Sequence, residues 1–217
     1  MKIITLIPAR GGSKGIKDKN IIDLNGKPLI HYSIDASLRS KADETWVSSD
    51  SAKIRKVSES CGAFSIDRSP ELSNDKAKTE PTLIDFALKK DFDIMVFLQA
   101  TSPFINSEYI NAGLDKILNE GYDSVFTVTE EHWIPKWTED VKPIEWEIDN
   151  RPRRQDRPAI YSENGMMYIT KRDALINSGQ RYSGNMTFLK IPYIHSFQID
   201  TYEDLDLIKA IMKSEGK

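Results

Sequence analysis

Short runs of branched apolar residues alternate with segments of helical period from the N-terminus onward, and this alternation restricts the fold of the 217-residue chain more than any other feature. Residues 3–7, 45–48, 63–66, 93–98 and 124–128 are too short for helices and read as buried strands. Residues 28–38, 51–60, 79–90 and 107–119 lie between them with apolar side chains three and four apart, as in Leu83, Ile84, Ala87 and Leu88. Repetition of this kind predicts an α/β fold: a Rossmann-like, mainly parallel sheet flanked by helices, with right-handed crossovers. Ligands of such sheets bind beyond the carboxyl ends of the strands. Those ends are residues 8–15, 48–50, 67–75 and 99–103, all polar, and the topology predicts that they sit side by side.

The pattern breaks at residues 129–157, which hold Trp133, Trp137 and Trp146, three prolines and a dense mixture of charges. This stretch, approximately 130–160 within a single domain of 1–217, reads either as a long surface excursion or as an arm that packs on a second subunit, since aromatics and arginine concentrate at interfaces. Residues 166–169, 187–191 and 196–199 then read as strands. Thr201 opens the last helix with a capping box that carries Asp204 at its fourth position, and Leu205, Ile208 and Met212 form the buried stripe.

The strongest chemical signal follows the first strand: Pro8-Ala9-Arg10-Gly11-Gly12-Ser13-Lys14-Gly15-Ile16-Lys17-Asp18-Lys19-Asn20. Its three glycines let the backbone bend and present N–H groups to one concavity, and Arg10, Lys14, Lys17 and Lys19 surround that concavity with positive charge. Such a loop suits a polyphosphate. The Walker pattern fails because Lys27 is followed by Pro28, and G-x-G-x-x-G is absent. One cysteine, Cys61, and three histidines exclude a disulfide and the usual Cys/His zinc sites, so any metal must be held by carboxylates and phosphates. A net charge of -3 disfavours a nucleic-acid partner. No apolar run approaches the ~18 residues of a membrane span, and Arg10 interrupts the first apolar run too early for a secretory leader, so a cytoplasmic location and no membrane partner are expected.

The run from Arg10 to Asn20 resembles that of the acylneuraminate cytidylyltransferases. The likeness continues through Asp67-Arg68-Ser69-Pro70-Glu71-Leu72, Phe97-Leu98-Gln99-Ala100-Thr101-Ser102-Pro103, Arg154-Gln155-Asp156-Arg157-Pro158, Asn164-Gly165-Met166-Met167-Tyr168 and Ile199-Asp200-Thr201, in the family's order. The resemblance implies a nucleotidyltransferase that couples CTP to a 2-keto-3-deoxy nonulosonic acid, giving the CMP-sugar and pyrophosphate. It also implies a homodimer whose arm reaches into the partner's site. Arg10 and Lys19 would grip the triphosphate, with Gly12, Ser13 and Lys14 beside it. Asn20, Arg68 and Thr79 would hold the cytidine. Gln99, Asn164 and Tyr168 would face the sugar, and Arg154 and Lys136 would come from the arm. Asp200 would hold Mg2+; where many members have a second aspartate two residues earlier, this chain has Gln198, and Asp50, at a strand end, is a reserve candidate for the metal. Arg181-Tyr182 stands near an aromatic pair of some members, which leaves a legionaminic or pseudaminic type of acid open as the substrate.

Taken singly, these residues have ordinary explanations. Arg68 suits a surface ion pair, Thr79 a helix N-cap, Gln99 a strand-end amide, Tyr168 strand packing, and the arginines of 151–157 a solvated run. Three other functions remain open on these grounds: a cytidylyltransferase for an octulosonic acid, a non-catalytic nucleotide-binding protein, and a phosphate-binding regulatory domain.

Overall fold

The computed structural model describes residues 1–13 and 15–216. Its strands are β1 (Ile3–Pro8), β2 (Asp23–Leu24), β3 (Lys27–Pro28), β4 (Glu44–Ser49), β5 (Phe64–Asp67), β6 (Ile94–Leu98), β7 (Ser124–Glu130), β8 (Lys136–Trp137), β9 (Pro143–Ile144), β10 (Tyr161–Lys171) and β11 (Met186–Lys190). The helices are α1 (Leu29–Leu38), α2 (Ala52–Ser60), α3 (Thr79–Lys89), α4 (Ser107–Glu120), α5 (Arg172–Ser178) and α6 (Tyr202–Ser214). Seven strands form one sheet in the order β11-β7-β10-β6-β1-β4-β5. All its neighbouring pairs are parallel except those of β10, which runs antiparallel to both β6 and β7. The α/β architecture and the five strands expected before residue 129 are therefore present.

The central strands are apolar on both faces because helices cover both, as parallel sheets require. Ile3 and Ile7 of β1, with Val96 and Leu98 of β6, pack against α1, α2, α4 and α6 through Leu29, Ile30, Ile54, Ile110, Leu114 and Ile208. Ile4, Leu6, Met95 and Phe97 point the other way, onto Leu83 and Phe86 of α3 and Leu175 of α5. This two-residue alternation fixes the register, since a slip of one position would exchange the two cores.

Three expectations need correction. Residues 196–199 form no strand: after a turn at Tyr193–His195 they run alongside the end of β6, where the Ile199 amide donates to the Thr101 carbonyl at 3.0 Å. Residues 166–169 are only the second half of β10, whose polar first half pairs with β7 across an irregularity between Glu163 and Tyr168. Gly165 lies there with φ +73°, a conformation that suits glycine. The arm is also more than irregular chain. β8 and β9 form a small hairpin, Trp137 and Trp146 meet edge to face at 4.8 Å, and the Arg157 guanidinium lies 5.0 Å from the Trp133 ring centre. Helix α5 and the β2–β3 hairpin were not anticipated at all.

The capping box of α6 forms as expected. The Thr201 hydroxyl accepts the Asp204 amide at 3.2 Å, and Asp204 Oδ2 accepts the amides of Thr201 and Asp200 at 2.8 and 3.0 Å. Burial opposes the charge of Asp204, but those amides, the Thr201 hydroxyl and nearby Lys19 outweigh it and hold its pKa below the ordinary value. A carboxylate of lowered pKa stabilises the fold above its unfolded pKa and loses that contribution as acid protonates it. Replacing Thr201 with Ala should cost about 1 kcal/mol in thermal or urea unfolding. The separate penalty of Asp204→Ala should shrink as the pH falls below about 4.

Candidate active site

The carboxyl ends of β1, β5 and β6 enclose a crevice of about 550 Å³, closed on one side by the segment that leads into α6. Arg10, Ser13, Lys19, Asn20, Arg68, Thr79, Gln99 and Asp200 all line it, so eight of the residues singled out from the sequence converge on one cavity. The phosphate loop enters directly from β1, and its Arg10 and Lys19 face inward. Lys14 lies outside the described residues.

The loop is shaped differently from the simplest expectation. Neither Gly11 nor Gly12 has a positive φ; among the described residues of the loop, Asp18 is left-handed, with φ 54°. The Gly11 amide does not face an open concavity, because it donates to Asp50 Oδ1 at 2.9 Å. Gly12 does not line the crevice, and a side chain there would meet nothing within 4 Å. Gly15 is the position that must be glycine: an added Cβ would stand 2.6 Å from the Asp200 carbonyl oxygen. This close approach brings the first loop of the chain against the start of α6.

Two of the inward-facing cations are held by acids. Arg10 Nη1 donates to Asp75 Oδ1 at 2.7 Å, and Lys19 Nζ to Asp200 Oδ1 at 2.6 Å. Arg68 is only 6% exposed, so it is no surface ion pair. Its Nε donates to the Ser73 hydroxyl at 3.0 Å, while its Nη2 lies 3.8 Å from Asp50 and is buried without a hydrogen-bond partner among the described residues. Burial lowers the pKa of Arg68; Asp50 opposes that and Arg10 adds to it. Asn20 is buried and donates to the Arg10 carbonyl at 2.9 Å, which ties the two ends of the loop together. Thr79 is the first residue of α3 and not its cap, which is Lys78.

The sugar-side candidates divide. Gln99 lines the crevice, and its Oε1 accepts from the Thr101 hydroxyl at 3.4 Å. Asn164 and Gln198 sit behind it. The Asn164 Oδ1 accepts from Thr127 at 2.7 Å, its Nδ2 is buried without a partner, and its carbonyl takes the amide of Gln198. Gln198 is thereby turned toward Asn164 and Thr101. Tyr168 is core: it stacks on Phe97 at 5.3 Å, donates to Glu163 and does not line the crevice. Burial, then the Glu163 contact, push its pKa far up. Arg181 lies over its ring at 5.0 Å and is pinned by Glu80 at 2.6 Å. Arg154 and Lys136 line a separate cavity of about 460 Å³ in the arm, where Lys136 meets Glu131 at 3.1 Å, so one chain does not bring them to the crevice. Sequence reasoning missed Asp75 and took Asp50 only as a reserve metal ligand, whereas here it accepts the Gly11 amide and stands beside Arg68.

A family model described as cytidylyltransferase matches residues 4–215. The chain belongs to the cytidylyltransferase family. Over 209 residues it is 38% identical to N-acylneuraminate cytidylyltransferase B of Danio rerio, covering 93% of this chain and 48% of that protein. It is 31% identical over 213 residues to the N-acylneuraminate cytidylyltransferase of Streptococcus agalactiae, covering 94% of this chain and 52% of that one. This cytidylyltransferase chain thus spans about half the length of those curated relatives. Its fold matches that of a CMP:2-keto-3-deoxy-manno-octonic acid synthetase solved in complex with CTP, with a TM-score of 0.77, 19% identity and coverage of 99% and 100% of the two chains. No helix among the described residues is long and apolar enough to cross a membrane.

Gly15→Ala should separate the loop from the start of α6. We expect a stability loss of roughly 1–3 kcal/mol, in the range of overpacking, read by thermal melting.

Proposed function

We propose that the chain transfers the cytidylyl group of CTP to a 2-keto-3-deoxy nonulosonic acid and releases pyrophosphate. The observation that carries this reading is the convergence of Arg10, Lys19 and the buried Arg68 on one crevice beside Gln99. CTP carries about four negative charges and the acid one more, so their encounter needs concentrated positive charge. In the reaction the anomeric 2-hydroxyl oxygen bonds to the α-phosphorus, the bond from that phosphorus to the bridging oxygen breaks, and the hydroxyl proton passes to solvent. Arg10 and Lys19 leave their acids and neutralise the charge that develops on the phosphates, while Asn20 keeps the loop closed.

Asp200 would hold a magnesium ion. Its carboxylate lines the crevice and is 69% exposed, and magnesium needs only one or two carboxylates when phosphates supply the other oxygens. When bound, the ion would neutralise phosphate charge. Gln198, engaged with Asn164 and Thr101, is no ligand in this arrangement.

The site is completed in this reading by a second copy in the cytoplasm, whose Arg154 and Lys136 meet the sugar carboxylate; a guanidinium suits that group through its two parallel donors. Exposed Ile134, Trp137, Ile144 and Ile148 on the arm support an interface there.

Pyrophosphate release with CTP and a panel of nine-carbon and eight-carbon 2-keto-3-deoxy acids tests the reaction; release with none of them would overturn it. Arg10→Ala should lower kcat/KM by about 10²–10³, the effect of losing one transition-state donor. For the dimer, Arg10→Ala and Arg154→Ala chains should each be weak alone. Mixing them with subunit exchange should restore about a quarter of wild-type activity, because half the dimers are mixed and each mixed dimer regains one whole site. Sedimentation as a monomer at micromolar concentration would rule the arrangement out.

A further inference from the structure

Asp50 lies between β4 and α2 and is not among the residues that line the crevice. It does not cap α2 either; Ser51 does, its hydroxyl accepting the Ile54 amide at 3.4 Å. Yet the same oxygen of Asp50 accepts the Gly11 amide at 2.9 Å and stands 3.8 Å from Nη2 of Arg68. It therefore faces the phosphate loop and the buried arginine at once.

Arg68 explains why that position matters. Its backbone amide is tied to the Ser49 carbonyl at 3.2 Å, and its Nε is committed to Ser73, whose hydroxyl passes on to the Ser69 carbonyl at 2.9 Å. Nη2 is buried with no acceptor among the described residues. A separation of 3.8 Å is too long for a hydrogen bond but short enough for strong attraction away from bulk water. Asp50 thus offsets the charge of Arg68 without satisfying its N–H. A buried donor left in this state is costly unless a ligand supplies the acceptor.

We infer that Asp50 is a positioning residue for nucleotide recognition, fixing the Gly11 end of the phosphate loop and the Arg68 guanidinium at one separation so that the spare Arg68 N–H meets a ring acceptor of the pyrimidine. This rests on the cytidylyl-transfer reading above. Cytosine offers adjacent acceptors at O2 and N3, whereas uracil presents an N–H at the second position. A cationic donor held still favours the first and repels the second. A site whose polar group is left unpaired by the wrong ligand discriminates strongly. Freed from Asp50, the guanidinium would turn toward phosphate or water. Attraction for any nucleoside triphosphate would survive, and the distinction between bases would fade.

Asp50→Asn tests this, because it keeps the size and the oxygen that accepts the Gly11 amide and removes only the charge. Affinities for CTP and UTP are measured by calorimetry across a magnesium titration, with melting temperatures in parallel, for the wild type, Asp50→Asn and Asp50→Ala. The expected result is an Asp50→Asn protein that melts near wild type while its preference for CTP over UTP falls roughly tenfold, the low end for removing one partner of a close charge pair. Asp50→Ala should lose affinity for both nucleotides as well; if it fails to fold, the Asn variant decides alone. A selective wild type with an unchanged Asn variant would overturn the inference and leave the function standing. So would a defect cured entirely by more magnesium, which would make Asp50 a metal ligand. A wild type that does not prefer CTP would overturn both readings.

Discussion

Cations gathered in one crevice repel one another, and the structure depends on how that repulsion is met. Two unit charges about 6 Å apart at an effective dielectric near 20 repel by about 3 kcal/mol, a large part of a domain's stability. Three of the cations lining the crevice have a carboxylate from a different part of the chain: Asp75 for Arg10, Asp200 for Lys19, Asp50 for Arg68. The chain as a whole carries a net charge of -3, so the positive character of the site is local and needs these acids to persist. On the proposed function, binding a triphosphate would be an exchange of counterions. Its phosphates would take over from Asp75 and Asp200, whereas Asp50 is outside the lining and could keep its contacts during the exchange.

That exchange explains why the exposed pairs differ from the buried one. Arg10 and Lys19 are held by acids that solvent reaches, so each pair is individually weak and easily traded. Arg68 is buried, and a charge there cannot be left without compensation when the ligand departs. A carboxylate close enough to offset the charge, but too far to take the hydrogen bond, serves both states.

The α/β architecture was legible because branched apolar runs and helical spacing leave few alternatives. The crevice was legible because topology places strand ends together, and the order of motifs named the loop. The first half of β10 was not readable, because Tyr161-Ser162-Glu163-Asn164 looks polar and its place in the sheet comes from pairing with β7. The opposite error occurred at residues 196–199, where the Ile199 amide meets the Thr101 carbonyl but no strand ladder forms. Tyr168 carried a motif signal but was claimed by packing against Phe97. Asp75 gave no local signal, and Asp50 only that of a strand-end acid, since an aspartate in a turn looks the same whether or not an arginine from another loop lies beside it.

The contact between Gly15 and the Asp200 carbonyl joins two segments separated by nearly the whole chain. The site is therefore incomplete until α6 has docked on the sheet through Leu205, Ile208 and Met212. The capping box adds a second constraint: Asp204 takes the Asp200 amide, so the same side chain that starts the helix orients the residue facing Lys19. Long-range closure of this kind forms late in folding, because loop entropy must be overcome before the contact contributes. A ligand that spans Arg10, Lys19 and Asp200 binds only the closed form, and mass action then stabilises α6 along with the loop. Helix α6 is in that sense part of the crevice even though none of its own side chains lines it.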